Sequence, residues 1–275
     1  MTIVRSEPGV LYTKEPLLHD LRPEWKPLLS NVSFMEYVGI ENLRIEFPES
    51  EYAGHHLEEG FNGLYLTDLS HSWVRDVSIH NSDTALLTTN SRNISIDGFI
   101  TTGREGHHSV WLGDVYGVLT TNFRFEADSR HNPSFNTKSR LSVFSGGTIP
   151  RAHLDQHGGL NHQNLFDDIG GGASRSSITC GGSPYWNPGA GLYNTFWNIR
   201  LSGRLSDGYI GSCSDAAEAR IVGLTAGSSE LVLRYGPATY VEGLNRPGIA
   251  VRSLYRYQLA RRLAAQQTAA ENEGH

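Results

Sequence analysis

NISIDGFITTGREGHHSVWLGDVYGVLTTNFRF, residues 93–125, opens on Asn93-Ile94-Ser95-Ile96 and closes on Asn122-Phe123-Arg124-Phe125. Each phrase is Asn followed by apolar, polar, apolar. It recurs as Asn42-Leu43-Arg44-Ile45, Asp76-Val77-Ser78-Ile79 and Asn198-Ile199-Arg200-Leu201. Alternation of period two marks a short strand with every second side chain turned inward. Between the two phrases lies a second strand-like run, Ser109-Val110-Trp111-Leu112. Gly63-Leu64-Tyr65-Leu66, Thr84-Ala85-Leu86-Leu87 and Leu141-Ser142-Val143-Phe144 are its counterparts. Two strands per repeat follow. Leu64, Leu86 and Trp111 succeed one another at 22 and 25 residues, with longer insertions later. Strand units at this period with loops of variable length predict an all-β parallel solenoid. A sandwich or barrel needs tight hairpin turns, yet neither Asp97-Gly98 nor Asp207-Gly208 sits between two alternating runs.

Composition agrees. Thirty glycines among 275 residues, with 19% charged and 38% apolar, favour strands broken by turns and allow a sizeable core. A formal charge of −6 gives no general attraction for nucleic acid or an anionic membrane surface, so neither is expected as a partner. No apolar run is long enough to span a bilayer. The N-terminal twenty residues lack the apolar stretch of a secretion signal, which implies a cytoplasmic protein as the chain stands, or a secreted one if a signal has been removed. Cys180 and Cys213 show no metal-ligand spacing and read as small buried hydrophobes.

The ends differ from the middle, as a solenoid that must cover its terminal coils requires. Residues 1–37, with Pro8, Pro16, Pro23, Pro27 and Trp25, read as an irregular N-terminal capping segment. Residues 38–250 form the β-helix, and 251–275 a short C-terminal α-helix with a frayed tail. Leu254, Leu259 and Leu263 face one way on that helix, Arg261 and Arg262 largely the other.

The Asn or Asp before each strand phrase resembles the pectate-lyase-like superfamily of single-stranded right-handed parallel β-helix proteins, over about Val38 to Gly227. Gly103-Arg104-Glu105-Gly106-His107-His108 and His153-Leu154-Asp155-Gln156-His157, leading into Asn164-Leu165-Phe166, are similar to a poorly characterised bacterial branch. The resemblance implies a right-handed coil and a carbohydrate substrate. The chain departs from the best-known members: it has neither a cluster of Asp ligands for calcium nor the Asn-Asp, Asp-Asp and Gly-His-Gly phrases of polygalacturonase-type hydrolases.

Equivalent positions in successive coils stack about 4.8 Å apart, so residues distant in sequence form columns. Arg104, Glu105, His107 and His108 follow one strand phrase, and Asp128, Arg130 and His131 follow another. His153, Asp155, His157 and His162 come in the next coil. Single histidines beside glycines are commonly solvated loop residues, but this band is dense for a sparsely charged chain and reads as a site. In β-elimination, Arg104 or Arg130 neutralises a uronate carboxylate and His107, His108 or His157 takes the proton, with Tyr116 as a donor to the leaving oxygen. In hydrolysis, Asp155 pairs with Asp128, Glu105 or Asp167. A metal would use His153, Asp155 and His157, whose alternation puts them on one strand face, so a divalent cation is a candidate cofactor though none is required.

The catalytic set is therefore His107, His108, Arg130, His131, Asp155 and His157, with Arg104, Glu105, Asp128 and Trp186 contacting substrate. Trp186 follows Tyr185 in a loop suited to stacking on sugar. Gly170-Gly171-Gly172 and the residues up to Arg175 lack phosphate-loop context and read as a flexible turn. The expected function is cleavage of a glycosidic bond, with β-elimination preferred over hydrolysis. Two other readings compete: a non-catalytic glycan-binding or structural β-helix, and an intracellular isomerase or cyclase acting on a small molecule. Flat solenoid faces would also allow homo-oligomers.

Overall fold

The computed structural model describes residues 2–182, 185 and 187–273, without the side chains of Asn272 and Glu273. Residues 1–33 form a compact unit of their own. It is irregular, as expected, apart from an antiparallel hairpin of Ile3–Glu7 with Val10–Thr13 and one 3-10 turn at Pro23–Trp25.

Residues 34–275 hold a parallel β-solenoid with three principal sheets instead of two strands per coil. The first sheet stacks Gly39–Glu46, Trp73–His80, Ser95–Asp97, Leu119–Thr121, Val143–Ser145, Leu165–Asp167, Thr195–Trp197, Arg220–Val222 and Tyr240–Glu242. The two long opening strands bend into the second sheet, which continues through Ile100–Thr102, Arg124–Phe125, Thr148–Arg151, Gly170–Gly172 and Arg200–Ser202. The third runs Asn62–Thr67, Thr84–Thr89, Gly106–Gly113, Ser134–Asn136, Asp155–His157 and Cys180–Gly181, with Ser129–His131 beside the start of Gly106–Gly113. A short fourth ladder starts at Met35–Glu36, inside the segment expected to be irregular.

The repeated Asn or Asp has a backbone cause. The bend between the first and second sheets is a single residue in the left-handed region, at Asn42, Asp76, Gly98, Asn122, Gly146, Asp168, Asn198, Gly223 and Gly243. Asn and Asp tolerate that region better than other side chains, and Gly enters it freely. Asn93, with φ 52°, occupies a different corner, two residues before its first-sheet strand. The phrase that opens the quoted stretch therefore does not align with the one that closes it. Register also shifts one of the expected repeats: Leu64 and Leu86 align with Val110, whereas Trp111 lies opposite Leu87.

Inside the coil, one first-sheet column runs Val74, Ile96, Thr120, Phe144, Phe166, Phe196 and Ile221. Phe144, Phe166 and Phe196 are fully buried, and Phe166 sits 5.1 Å from Phe196 and 4.5 Å from Phe135 between ring centroids. The glycine run expected as a flexible turn is instead the strand Gly170–Gly172. A Cβ on Gly171 would lie 2.6 Å from the Ile149 side chain, so only glycine fits there. Cys180 and Cys213 are joined in a disulfide with Cα atoms 5.1 Å apart, correcting their reading as separate hydrophobes.

The C-terminal helix is Leu254–Glu273. Its start is tied down by Asp167, whose carboxylate accepts from Ser253 Oγ (2.5 Å), Leu254 N (2.8 Å) and Ser145 Oγ (2.7 Å). Ser253 Oγ in turn accepts from Arg256 N, the role of an N-cap serine. From Ala260 to Glu271 every residue is exposed, Leu263 included, so the expected apolar face is covered only in the first turns.

Candidate functional site

The third sheet carries the histidines on its outer side. Where Gly106–Gly113 begins, the N–H groups of His107 and His108 both donate to the carbonyl of Asp83, at 2.6 and 3.2 Å. Sharing one acceptor between successive residues breaks the alternation, as a β-bulge does, and both rings emerge together, stacked 4.1 Å apart. The register pairs His108 with His131, and their rings are 5.0 Å apart. Gly106 makes this approach feasible, since a Cβ there would meet Ser82 O at 2.5 Å.

In the following coils Trp111, Ser134 and Asp155 stack in register, as do Gly113, Asn136, His157 and Gly181. Asp155 is 1% exposed. Ser134 Oγ donates to its Oδ2 at 2.6 Å, while Oδ1 faces His131 Nδ1 at 3.3 Å, His157 Nδ1 at 3.6 Å and His153 Nε2 at 3.7 Å. His153 is also engaged by the Thr179 hydroxyl at 3.0 Å. Neither nitrogen of buried His131, nor His157 Nδ1, has a partner in hydrogen-bond geometry among the described residues.

Three groups of potential ligand atoms lie within 4.8 Å of one another: His131, Asp155 and His157; His107, His108 and His131; and His55, His56 and His107. Of the trio expected from strand alternation, Asp155 and His157 fall together in one of these groups with His131, and His153 Nε2 lies 3.7 Å from Asp155 Oδ1.

Burial pushes His107 down to about 4 against the opposing pull of Glu58, and lowers His108 and His153 as well. Burial alone would raise Asp155, but His131, His157 and His153 hold its carboxyl well below the usual range. His157 is raised by Asp155 beside it.

Beside the cluster opens a cavity of about 460 Å³. Its wall includes Arg130, Arg151, Arg175, His55, His153 and Asp155. Arg151 binds Asp128 at 2.7 Å and approaches Glu105 at 3.9 Å, whereas Arg175 binds Asp207 at 2.5 Å. No ion pair involves Arg130 among the described residues.

The other expected residues divide. Glu105 and Asp128 meet at Arg151 on the rim. Arg104 does not line the cavity: its guanidinium is engaged by Asp83 at 2.7 Å and Ser50 at 3.1 Å, which makes it a structural tie. Asp167 lies on the first sheet, holding the helix start. Tyr116 belongs to the short fourth ladder, and His162 pairs there with Arg140 and bonds Gln163. Trp186 lies outside the described residues.

Sequence reasoning missed His55, His56 and Glu58, which come from the loop before Asn62–Thr67. Glu58 accepts from Tyr52 OH at 2.8 Å and sits 3.0 Å from His107 Nδ1. The doublet His55-His56 was the available signal. Arg151 and Arg175 carried none, being single arginines beside strand phrases.

No protein-family model matches the chain, and no curated protein is significantly similar to it. Chemically, the arrangement offers lone pairs on clustered imidazoles, one buried carboxylate and a polar cavity with three guanidinium groups in its wall.

Proposed function

We propose that the cavity beside the histidine cluster binds an acidic carbohydrate and cleaves it by β-elimination. The observation that carries this reading is Arg130, an exposed arginine with no ion pair among the described residues, in a cavity wall that also holds Arg151 and Arg175, each paired with a carboxylate, in a chain whose net charge is −6. Such a wall favours an anion, and a uronate is the carbohydrate that supplies one. The parallel solenoid and the phrases shared with pectate-lyase-like proteins support the same substrate class, while fold alone leaves the chemistry open.

In this reading Arg130, assisted by Arg151 and Arg175, neutralises the uronate carboxylate and so lowers the cost of negative charge on the adjacent carbon. A wall imidazole, His55 or His153, accepts the proton from that carbon. The C–H electron pair becomes the new double bond, the glycosidic C–O bond breaks, and the leaving oxygen departs as an alcohol by taking a proton from solvent or from the imidazolium just formed. Hydrolysis is less well supported because it needs two carboxylates flanking the bond. Asp155 is buried under imidazoles, and Asp128 is bound by Arg151. The disulfide fits work in an oxidising compartment.

The test incubates the full chain with uronate-containing and neutral polysaccharides, following the ultraviolet absorbance of unsaturated uronate together with reducing ends. Both signals rise on uronate polymers if the reading holds. Reducing ends alone would make the protein a hydrolase, and saturable binding with neither signal a glycan-binding solenoid.

A further inference from the structure

We propose that His131, Asp155 and His157, with His107 and His108 adjoining them, form a transition-metal centre in which His131 is common to both halves. The inference stands on the imidazole geometry and does not need the carbohydrate reading to be right.

The first support is convergence. Five side chains from three successive coils bring ligand atoms into two triads, each within 4.8 Å, and the triads share His131. Chain elements this far apart in sequence meet because the register aligns Gly106–Gly113 with Ser129–His131, then Ser134–Asn136 with Asp155–His157.

The second support is independent. His131 is 7% exposed, yet neither of its nitrogens nor His157 Nδ1 is in hydrogen-bond geometry among the described residues, the two Nδ1 atoms having only loose approaches to Asp155 Oδ1 at 3.3 and 3.6 Å. An orphaned buried polar atom costs about 1–3 kcal/mol, and folded proteins seldom leave three in one place. These ligand atoms lie within 4.8 Å of one another and of a carboxylate oxygen of Asp155. One cation can take one nitrogen of His131 together with His157 and Asp155, and the other His131 nitrogen, on the opposite side of the ring, is left to the His107–His108 group. Ser134, donating at 2.6 Å, fixes the far oxygen of the same carboxylate and so orients Oδ1, as outer partners of metal ligands do.

The donor set also selects the metal. Four imidazoles and one carboxylate suit zinc, copper, nickel or cobalt, whereas calcium and magnesium require a shell of oxygens. His55 and His56, both exposed, stand outside this core although they approach His107. His153 is turned to Thr179 and is left as a neighbour of the centre.

The experiment uses the untagged full chain, stripped with chelator and dialysed against Zn²⁺, Co²⁺ or Ca²⁺ alone. Bound metal is counted by elemental analysis, and Co²⁺ is also read by its visible ligand-field spectrum. At least one Zn²⁺ per chain is expected, with Co²⁺ bands of low coordination number and no retained Ca²⁺. His131→Ala and His157→Ala should each weaken Zn²⁺ binding by roughly 100-fold, since even outer partners of a ligand are worth 10–100-fold. His19→Ala, in residues 1–33, should change nothing. If His131→Ala does not fold, His157→Ala and the Co²⁺ spectrum decide. A folded wild-type chain that retains no Zn²⁺, one that retains Ca²⁺ equally, or variants that bind as tightly as wild type would overturn the proposal. Zinc held by a chain inactive on every polysaccharide would leave the centre standing and remove the carbohydrate reading. A chain active but metal-free, and indifferent to chelator, would do the reverse.

Discussion

Two columns, one on each of two sheets, use the same coil-to-coil register for opposite ends. On the first sheet, Phe144, Phe166 and Phe196 stack inward and exclude water. On the third, His108 with His131, and Trp111 through Ser134 to Asp155, stack outward and collect polar atoms. The spacing is the same in both. Apolar residues on it yield burial and dispersion energy, whereas imidazoles and a carboxylate yield converging lone pairs that the fold must hold at some cost. Stability and site should therefore separate when single residues are changed.

The largest effect is expected in the aromatic column. Phe166→Ala removes a ring packed against Phe135, Phe144 and Phe196, and should lower unfolding free energy by about 3–5 kcal/mol in denaturant titration. Next comes Cys213→Ser. The disulfide closes a separation of 33 residues, for which chain entropy predicts a loss of about 3–4 kcal/mol. Cys180 also pairs with Gln156, beside Asp155, so this variant should disturb the site as well as stability. Asp167→Ala follows at about 2–3 kcal/mol, because two donors at the helix start and Ser145 on the neighbouring strand lose their acceptor. Helical circular dichroism should fall with it.

The histidine column should answer far more weakly in stability. His131→Phe keeps a ring of similar shape and removes two buried nitrogens that lack hydrogen-bond geometry, but it also takes one of three imidazoles from the buried Asp155 carboxylate. Measured with chelator present, it should lower stability by only about 1 kcal/mol, because His153 and His157 still face the carboxylate, while weakening Zn²⁺ binding by roughly 100-fold. A loss as large as that of Phe166→Ala would mean that His131 belongs to the packing frame, and the contrast between the columns would fail.

The contrast also explains what could be read from the sequence. Hydrophobic periodicity is a local signal, so period two made the strand phrases and the solenoid visible and the helical spacing of Leu254, Leu259 and Leu263 the C-terminal helix. The number of sheets was not, because one left-handed residue makes a corner and Asn93 and Asn122 look alike while occupying different corners. The band from His107 to His157 was legible as a dense run of one residue type. His131 as the shared member was not, since its partnership with Asp155 depends on register across coils. Arg104 was misplaced for a related reason: only packing reveals that Asp83 and Ser50 engage it. The two cysteines lie on separate coils, and no spacing rule joins single residues so placed.

The smallest effect on stability is expected at Arg130, and it discriminates most cleanly between structure and function. The side chain is exposed, lines the cavity and makes no ion pair among the described residues. Arg130→Ala should shift unfolding free energy by no more than about 0.5 kcal/mol, the ordinary range for a surface substitution. If its guanidinium neutralises a uronate carboxylate, the same change should lower kcat/KM on acidic polysaccharide by about 100-fold, comparable to removing one donor at a developing anion. Arg130→Lys should recover only part of this, because an ammonium keeps the charge but loses the planar two-point grip on a carboxylate. A melting temperature that falls by several degrees would assign Arg130 to the frame. Unchanged turnover with unchanged stability would remove it from the site and shift the anion-binding role to Arg151 and Arg175, whose pairing with Asp128 and Asp207 would then have to open when substrate arrives.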